Sequence, residues 1–259
     1  MGYALITGAS KGIGKAIAEN LAARKIDVLL VARTEDLLKE LAIQLKGNYN
    51  IKAQYLVVDL SATNASQEIY NWVTSNNYPV NILVNNAGYG LSGSFEKYTL
   101  QQHLDMMQVN MTVPVQLTHL FLPQLQKQSA AYILNIASAA AYQAIPGLSL
   151  YAASKSFIVS FSRGLKYELK NTNVSVTAVC PGATDTDFPN RAEVTSQKAK
   201  QLAAKFNMQP TDVAAQAVEA MFAKKAEVVT GFVNKLGLFL TWLLPKTLLE
   251  KGAADIYGI

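Results

Sequence analysis

Six short runs rich in Val, Ile and Leu, at residues 3–7, 27–32, 54–58, 81–84, 132–136 and 174–179, recur between longer amphipathic stretches. That alternation constrains the fold more than any other feature. Apolar strands of this kind need cover on both faces, and strands separated by helix-length segments pair in parallel through crossovers. The spacing predicts helices over 12–24, 34–45, 62–75, 100–126 and 151–170, the second capped by Thr34 with Glu35 and Asp36 in its first turn. The pattern specifies a doubly wound α/β sheet with helices on both faces. Crossovers leave the carboxyl ends of the strands on one edge, where ligands of such sheets bind. No repeat, low-complexity tract or linker divides the chain, so residues 1–259 read as one domain.

Composition narrows the function classes. With 50% hydrophobic and 16% charged residues the chain can bury a large core. Its 23 Lys and Arg against 18 Asp and Glu leave +5, spread along the chain, which argues against a nucleic-acid partner. The one cysteine, Cys180, cannot form an internal disulfide and sits in an apolar strand-like run, so a reduced, cytoplasmic setting is expected. Met1 leads directly into a strand with no signal-peptide pattern. Residues 98–126 and 128–154 carry no charge but Asp105, yet Asn, Gln, Ser and Pro interrupt both, so they read as buried elements and not as transmembrane spans. No metal is expected, because one cysteine and the pair His103 and His119, sixteen positions apart, make no ligand spacing. Nor do these histidines complete a Ser, His and Asp nucleophilic arrangement.

The first strand ends in Thr7 Gly8 Ala9 Ser10 Lys11 Gly12 Ile13 Gly14, a glycine-rich turn that opens a helix. Glycines let a backbone approach a pyrophosphate, and a helix N-terminus offers free amide donors and partial positive charge. A turn of this type also occurs with no ligand, and its spacing is not that of the GxGxxG fingerprint. It does resemble the TGxxxGxG loop of the short-chain dehydrogenase/reductase family, in its single-domain branch. Further matches follow in order: Asp59 after the third strand, Asn85 Asn86 Ala87 Gly88 after the fourth, then Asn110, Ser138, the Tyr151 and Lys155 pair, and Pro181 Gly182. They cover about residues 3–186.

The resemblance implies a Rossmann fold with a mostly parallel seven-stranded sheet and a nicotinamide cofactor. Gly8, Ser10, Lys11, Gly12, Ile13 and Gly14 would form the cofactor loop, Asp59 with Leu60 would stand at the adenine, Asn86, Ala87 and Gly88 would line the cleft, and Pro181, Gly182 and Thr184 would lie along the nicotinamide. Asp59 can also merely cap the next loop, and residues 86–88 can merely shape a strand end. At the end of the second strand an acid would bind a ribose hydroxyl and a base a 2′-phosphate. Arg33 stands there, with Lys11 able to approach from the other side, so NADP(H) is the expected cofactor, although Glu35 and Asp36 lie close by.

Tyr151 and Lys155 are four residues apart, one helical turn on one face. A tyrosine titrates near ~10, and a neighbouring ammonium is expected to lower that value. Tyr151 can then exchange a proton with a carbonyl or alcohol oxygen while hydride moves to or from nicotinamide. Ser138 would hydrogen-bond the reacting oxygen. By the resemblance, Lys155 also binds the nicotinamide ribose and Asn110 supports a proton relay, and the helices at 100–126 and 151–170 pair across subunits of a homodimer or homotetramer.

The expected activity is thus NADP(H)-dependent interconversion of a carbonyl and an alcohol; the substrate, a ketone, aldehyde or 3-oxoacyl compound, is not readable. Mainly oxidative alcohol dehydrogenation and a non-catalytic nucleotide sensor are the competing readings. Residues 184–208 would cover the substrate, and the apolar tail 236–259 would wall the pocket or a subunit contact, with Phe239 and Trp242 offered to the substrate. A surface-lying membrane anchor is the weaker reading, since only Lys235, Lys246 and Lys251 lie nearby.

Overall fold

A computed structural model of the chain describes residues 2–259. Its strands are β1 (Tyr3–Thr7), β2 (Asp27–Ala32), β3 (Ala53–Val57), β4 (Val80–Asn85), β5 (Ala131–Ile136), β6 (Val174–Cys180) and β7 (Glu227–Val229). They form one sheet in the order β3-β2-β1-β4-β5-β6-β7, and every pairing is parallel, so the sheet is wholly rather than mostly parallel.

Alternation within each strand feeds two cores. Ala4 and Ile6 of β1 and Val28 and Leu30 of β2 pack with Ile17 and Leu21 of α1 (Gly12–Ala23), Leu38 and Leu41 of α2 (Glu35–Tyr49) and Val218 of α9 (Pro210–Phe222). Leu5, Leu29 and Leu83 go the other way, onto Ile69 of α3 (Ala65–Ser75) and onto Leu117 and Phe121 of α5 (Val113–Leu125). Thr34 does stand before α2, but its side chain caps nothing, and the helix runs past residue 45 to Tyr49.

The helix expected over 100–126 is in fact three pieces: α4 (Leu100–Met107), a wide π-type turn (Gln108–Thr112) and α5. Pro114 explains the break. It has no N–H for the carbonyl of Asn110 four residues back, and the hydrogen-bond ladder widens to pass it. Asn110 therefore sits in the distorted turn.

Strand order reverses between β1 and β4, and the two strand ends are tied there. The Thr7 hydroxyl accepts from the amides of Asn86 (3.0 Å) and Ala87 (3.1 Å), and the Asn86 amide group donates to the carbonyls of Thr7 (2.9 Å) and Gly8 (3.1 Å). Beside this edge α6 (Ser149–Glu168), packed on β5 and β6, brings its first turns to the strand ends, and α7 (Phe188–Arg191), α8 (Gln197–Phe206), α10 (Phe232–Leu243) and α11 (Lys246–Tyr257) border the same edge. Lys198 of α8 pairs with Asp255 of α11, and Ser196 before α8 donates to the Ile256 carbonyl. Among the described residues no helix is long and apolar enough to cross a membrane.

Thr7 is buried, so Thr7→Val leaves two amides without an acceptor inside the protein. A loss of about 2–4 kcal/mol is expected in urea unfolding, with most of it restored in Thr7→Ser. A valine variant as stable as the parent would contradict this role.

Candidate active site

The carboxyl edge of the sheet holds one cleft of about 1490 Å³. Pockets for a single small ligand span roughly 300–1,000 Å³, so this one has room for two molecules. Every site residue expected from the sequence borders it except Gly14 and Asn110.

The glycine turn is shaped by close approach. A β-carbon on Gly14 would lie 2.3 Å from the carbonyl oxygen of Gly8, and Gly8 itself has φ +65°, against the Asn86 side chain. No side chain caps α1 at its N-terminus, which leaves its first amides as free donors at the cleft. A cradle without side chains beside uncapped amides fits a pyrophosphate.

The expected cation pair is arranged differently. Arg33 lies 3.7 Å from the Asp59 carboxylate, and Lys11 lies 3.6 Å from Asp187. Each cation thus rests beside its own acid, and both border the cleft. Arg191 of α7 also borders the cleft; desolvation and then the charge of Arg33 hold its pKa below the ordinary value. Asp59 caps the next loop and also borders the cleft. It accepts from the amide (3.0 Å) and hydroxyl (2.9 Å) of Ser61. Burial works against its charge, but these bonds and Arg33 outweigh it and hold the carboxyl below its usual range.

At the other end, β5 leads into Ser138, whose hydroxyl accepts from the Ala140 amide at 3.1 Å. Tyr151 and Lys155 rise from α6 one turn apart, both buried. The Lys155 ammonium donates to the Ile136 carbonyl at 3.0 Å and lies 5.8 Å from the centre of the Tyr151 ring. The expected lowering of the tyrosine pKa is absent. Burial pushes Tyr151 up to about 12, against a hydrogen bond with Ser138, and burial pulls Lys155 down to about 8. In the cofactor-free protein Tyr151 is therefore a neutral phenol, a proton donor rather than a base.

Asn110 works from behind. Its side chain donates to the Tyr89 carbonyl (2.9 Å) and the Ser154 hydroxyl (3.0 Å) and accepts from the Tyr89 amide (3.1 Å). It clamps the loop after β4 onto α6. Ser154 joins the site only through this contact, and its one sequence signal is a hydroxyl three residues after the tyrosine. Asn234 of α10 left no such signal. It presses on Gly182, where a β-carbon would meet its side-chain oxygen at 2.1 Å, and so ties the tail to the cleft floor.

The tail does wall the cleft, through Leu238, Leu240 and Leu244, but Phe239 and Trp242 do not border it and are largely exposed. The expectation that those two rings meet the substrate is overturned, because the helix turns them outward. His103 is buried against Phe95, and His119 is exposed on α5. Cys180 is buried and its thiol pushed up to about 12, first by burial. Among the described residues no group of three or more His, Cys, Asp or Glu could hold a metal.

Comparison with known proteins places this geometry in a family. Residues 2–199 match the short chain dehydrogenase family, and the chain belongs to it. It is an oxidoreductase of the short-chain dehydrogenase/reductase type. It is 31% identical over 218 residues to an uncharacterized oxidoreductase of Staphylococcus saprophyticus, covering 84% of this chain and 90% of that one. It is 35% identical over 187 residues to a very-long-chain 3-oxoacyl-CoA reductase of Anas platyrhynchos, covering 69% of this chain and 58% of the relative. A solved short-chain dehydrogenase of Sphingobium yanoikuyae in complex with NADPH superposes with a TM-score of 0.79 at 30% identity, covering 89% of this chain and 87% of that one. Solved neighbours are described with NADPH and with NAD alike.

The lysine shift carries a stability consequence. Lys155 titrates near 10.5 when unfolded and near about 8 when folded, so between those values the unfolded chain binds more protons and stability rises with pH. Below pH 8 the buried charge is a net cost, offset in part by one hydrogen bond. Lys155→Met, in cofactor-free protein, is expected to gain about 1–2 kcal/mol at pH 7. Urea unfolding from pH 7 to 10 checks this: the gain should shrink as pH rises, and a gain that grew would refute it.

Proposed function

We propose that this chain is an NADP(H)-dependent carbonyl reductase for a bulky, mostly apolar ketone or 3-oxoacyl compound. The carrying observation is the cleft itself, with a buried neutral phenol and a serine hydroxyl at one end and an apolar wall from α8, α10 and α11 at the other. The name of the Anas platyrhynchos relative and the NADPH of the Sphingobium yanoikuyae structure support the substrate class and the cofactor.

The bound nicotinamide supplies hydride. Gly8, Ser10, Gly12 and Ile13 would hold the pyrophosphate, with Gly14 admitting the turn; Arg33 and Lys11 would hold the 2′-phosphate, Asp59 and Leu60 the adenine, and Asn86, Ala87, Gly88, Pro181, Gly182 and Thr184 the nicotinamide side. Tyr151 gives its phenolic proton to the carbonyl oxygen, and Ser138 donates a hydrogen bond to the same atom as charge develops. Lys155 offers a cation beside the phenolate that remains, in a site where burial strengthens the attraction. Asn110 is a positioning residue that fixes Tyr89 and Ser154 around that pair.

Alcohol oxidation uses the same groups in reverse, but a phenol held neutral favours proton donation. A nucleotide sensor has no need of a buried phenol, lysine and serine hydroxyl around one point. The segments 184–208 and 236–259 act in this reading as the substrate-side cover of a single domain. Leu100, Leu104 and Phe157, exposed on α4 and α6, support self-association along those helices.

Two variants test the reading. Tyr151→Phe should lower NADPH-dependent reduction of bulky ketones at least about a thousandfold while NADPH affinity stays within roughly twofold; residual turnover near the parent's would sink the proton-donor role. Arg33→Asp should weaken NADPH binding at least about tenfold and narrow or reverse its margin over NADH. An unchanged ratio in fluorescence titration would place the 2′-phosphate elsewhere.

A further inference from the structure

Helix α10 is apolar on two sides, and only one of them meets the cleft. Gly237, Leu238 and Thr241 border the cavity. Phe232, Leu236, Phe239 and Leu243 recur at intervals of four, three and four, a stripe along one side of a helix. They are 80%, 50%, 55% and 54% exposed, and Trp242 beside them is 80% exposed. No residue of α10 is buried. The stripe runs on to the mouth of the cleft, where Leu240, Leu244 and Leu248 border the cavity while remaining exposed.

Charge on the same cap is one-sided. The helices α8, α10 and α11 carry six exposed lysines, Lys198, Lys200, Lys205, Lys235, Lys246 and Lys251, against two acids, Glu250 and Asp255. Asp255 is already paired with Lys198. Lys235 directly precedes Leu236 in the stripe, and Lys246 opens the next helix. Three of these lysines come from α8, far away in sequence and packed beside α11. The tail by itself carries three lysines, and the folded cap doubles that number.

We propose that this cap docks on an anionic lipid bilayer surface. The stripe enters the boundary between headgroups and acyl chains, the lysines face the anionic headgroups, and Trp242 sits at the interface such rings prefer. The mouth of the cleft then opens toward the bilayer, so an apolar substrate enters from lipid and not through water. A second copy of the chain is a poorer occupant, because two such caps would bring lysines against lysines. Docking goes beyond the reaction proposed above and is read without turnover.

The test is flotation of the intact protein, loaded with NADPH, on vesicles of phosphatidylcholine alone and of phosphatidylcholine with about a third phosphatidylglycerol. Binding to the anionic vesicles should exceed binding to the neutral ones by roughly tenfold or more and should fall steeply with added salt. Trp242 emission should shift to the blue on binding. The pairs Phe239→Ser with Trp242→Ser, and Lys235→Glu with Lys246→Glu, should each lower partitioning roughly tenfold or more, with circular dichroism unchanged because all four side chains are exposed. Equal flotation on both vesicle types would overturn the proposal, whether or not the variants fold. So would sedimentation velocity showing a dimer that the Phe239→Ser, Trp242→Ser pair dissolves while the parent protein ignores vesicles.

Discussion

Parallel pairing of β1 with β4 is the constraint on which the site depends. All seven strands run the same way, and chain order reverses where these two meet, so loops that leave in opposite directions open a gap above the strand ends. A gap of that kind must be held at a fixed width. Thr7 and Asn86 hold it with four hydrogen bonds between a buried hydroxyl, two amides, one side-chain amide and two carbonyls. The glycine turn and the loop that faces it are therefore one rigid unit. Asn86 is as much a structural tie as a cleft residue.

Burial governs the chemical end. Tyr151 and Lys155 share a face of α6, and proximity alone would make the pair a phenolate and an ammonium. Removing both from water has the opposite effect on each. The phenol is raised and the lysine lowered, so in the cofactor-free site the phenol keeps its proton while the lysine holds its charge only below about pH 8. Ser138 and the clamp from Asn110 through Ser154 fix where that proton points. The π-type turn at Asn110 follows from Pro114, and a regular helix there would present a different residue to the loop after β4.

The cap follows another rule. The flanking helices α1, α2, α3, α5, α6 and α9 each bury apolar side chains against the sheet, whereas α10 buries none. A helix that lines a cavity on one side has water or a partner on the other, and this one shows Phe and Trp there. Its anchor to the rest of the protein is polar and close: Asn234 lies against the bare backbone of Gly182 and donates to the Thr230 carbonyl at 2.8 Å.

The strands and their neighbours were legible because both periods, two for strands and about 3.6 for helices, are written locally; β1 and β2 match residue for residue, and the other expected strands shift by a residue at one or both ends. The glycine turn, the Tyr151 and Lys155 spacing and the order of motifs through Pro181 were legible for the same reason, each being a short pattern with its own chemistry. Contacts between distant residues were not. That Arg33 meets Asp59, Lys11 meets Asp187, Asn110 holds Ser154 and Asn234 covers Gly182 depends on which loops the sheet brings together, and no local period encodes it. Protonation went the same way, since a pKa answers to desolvation, and burial of Tyr151 and Lys155 is a property of the packed cleft. The tail's sequence determined only that it is apolar; the direction in which Phe239 and Trp242 face was decided by the turn that α10 takes over the cavity, because a helix has one side to give to the cleft and must leave the other outside.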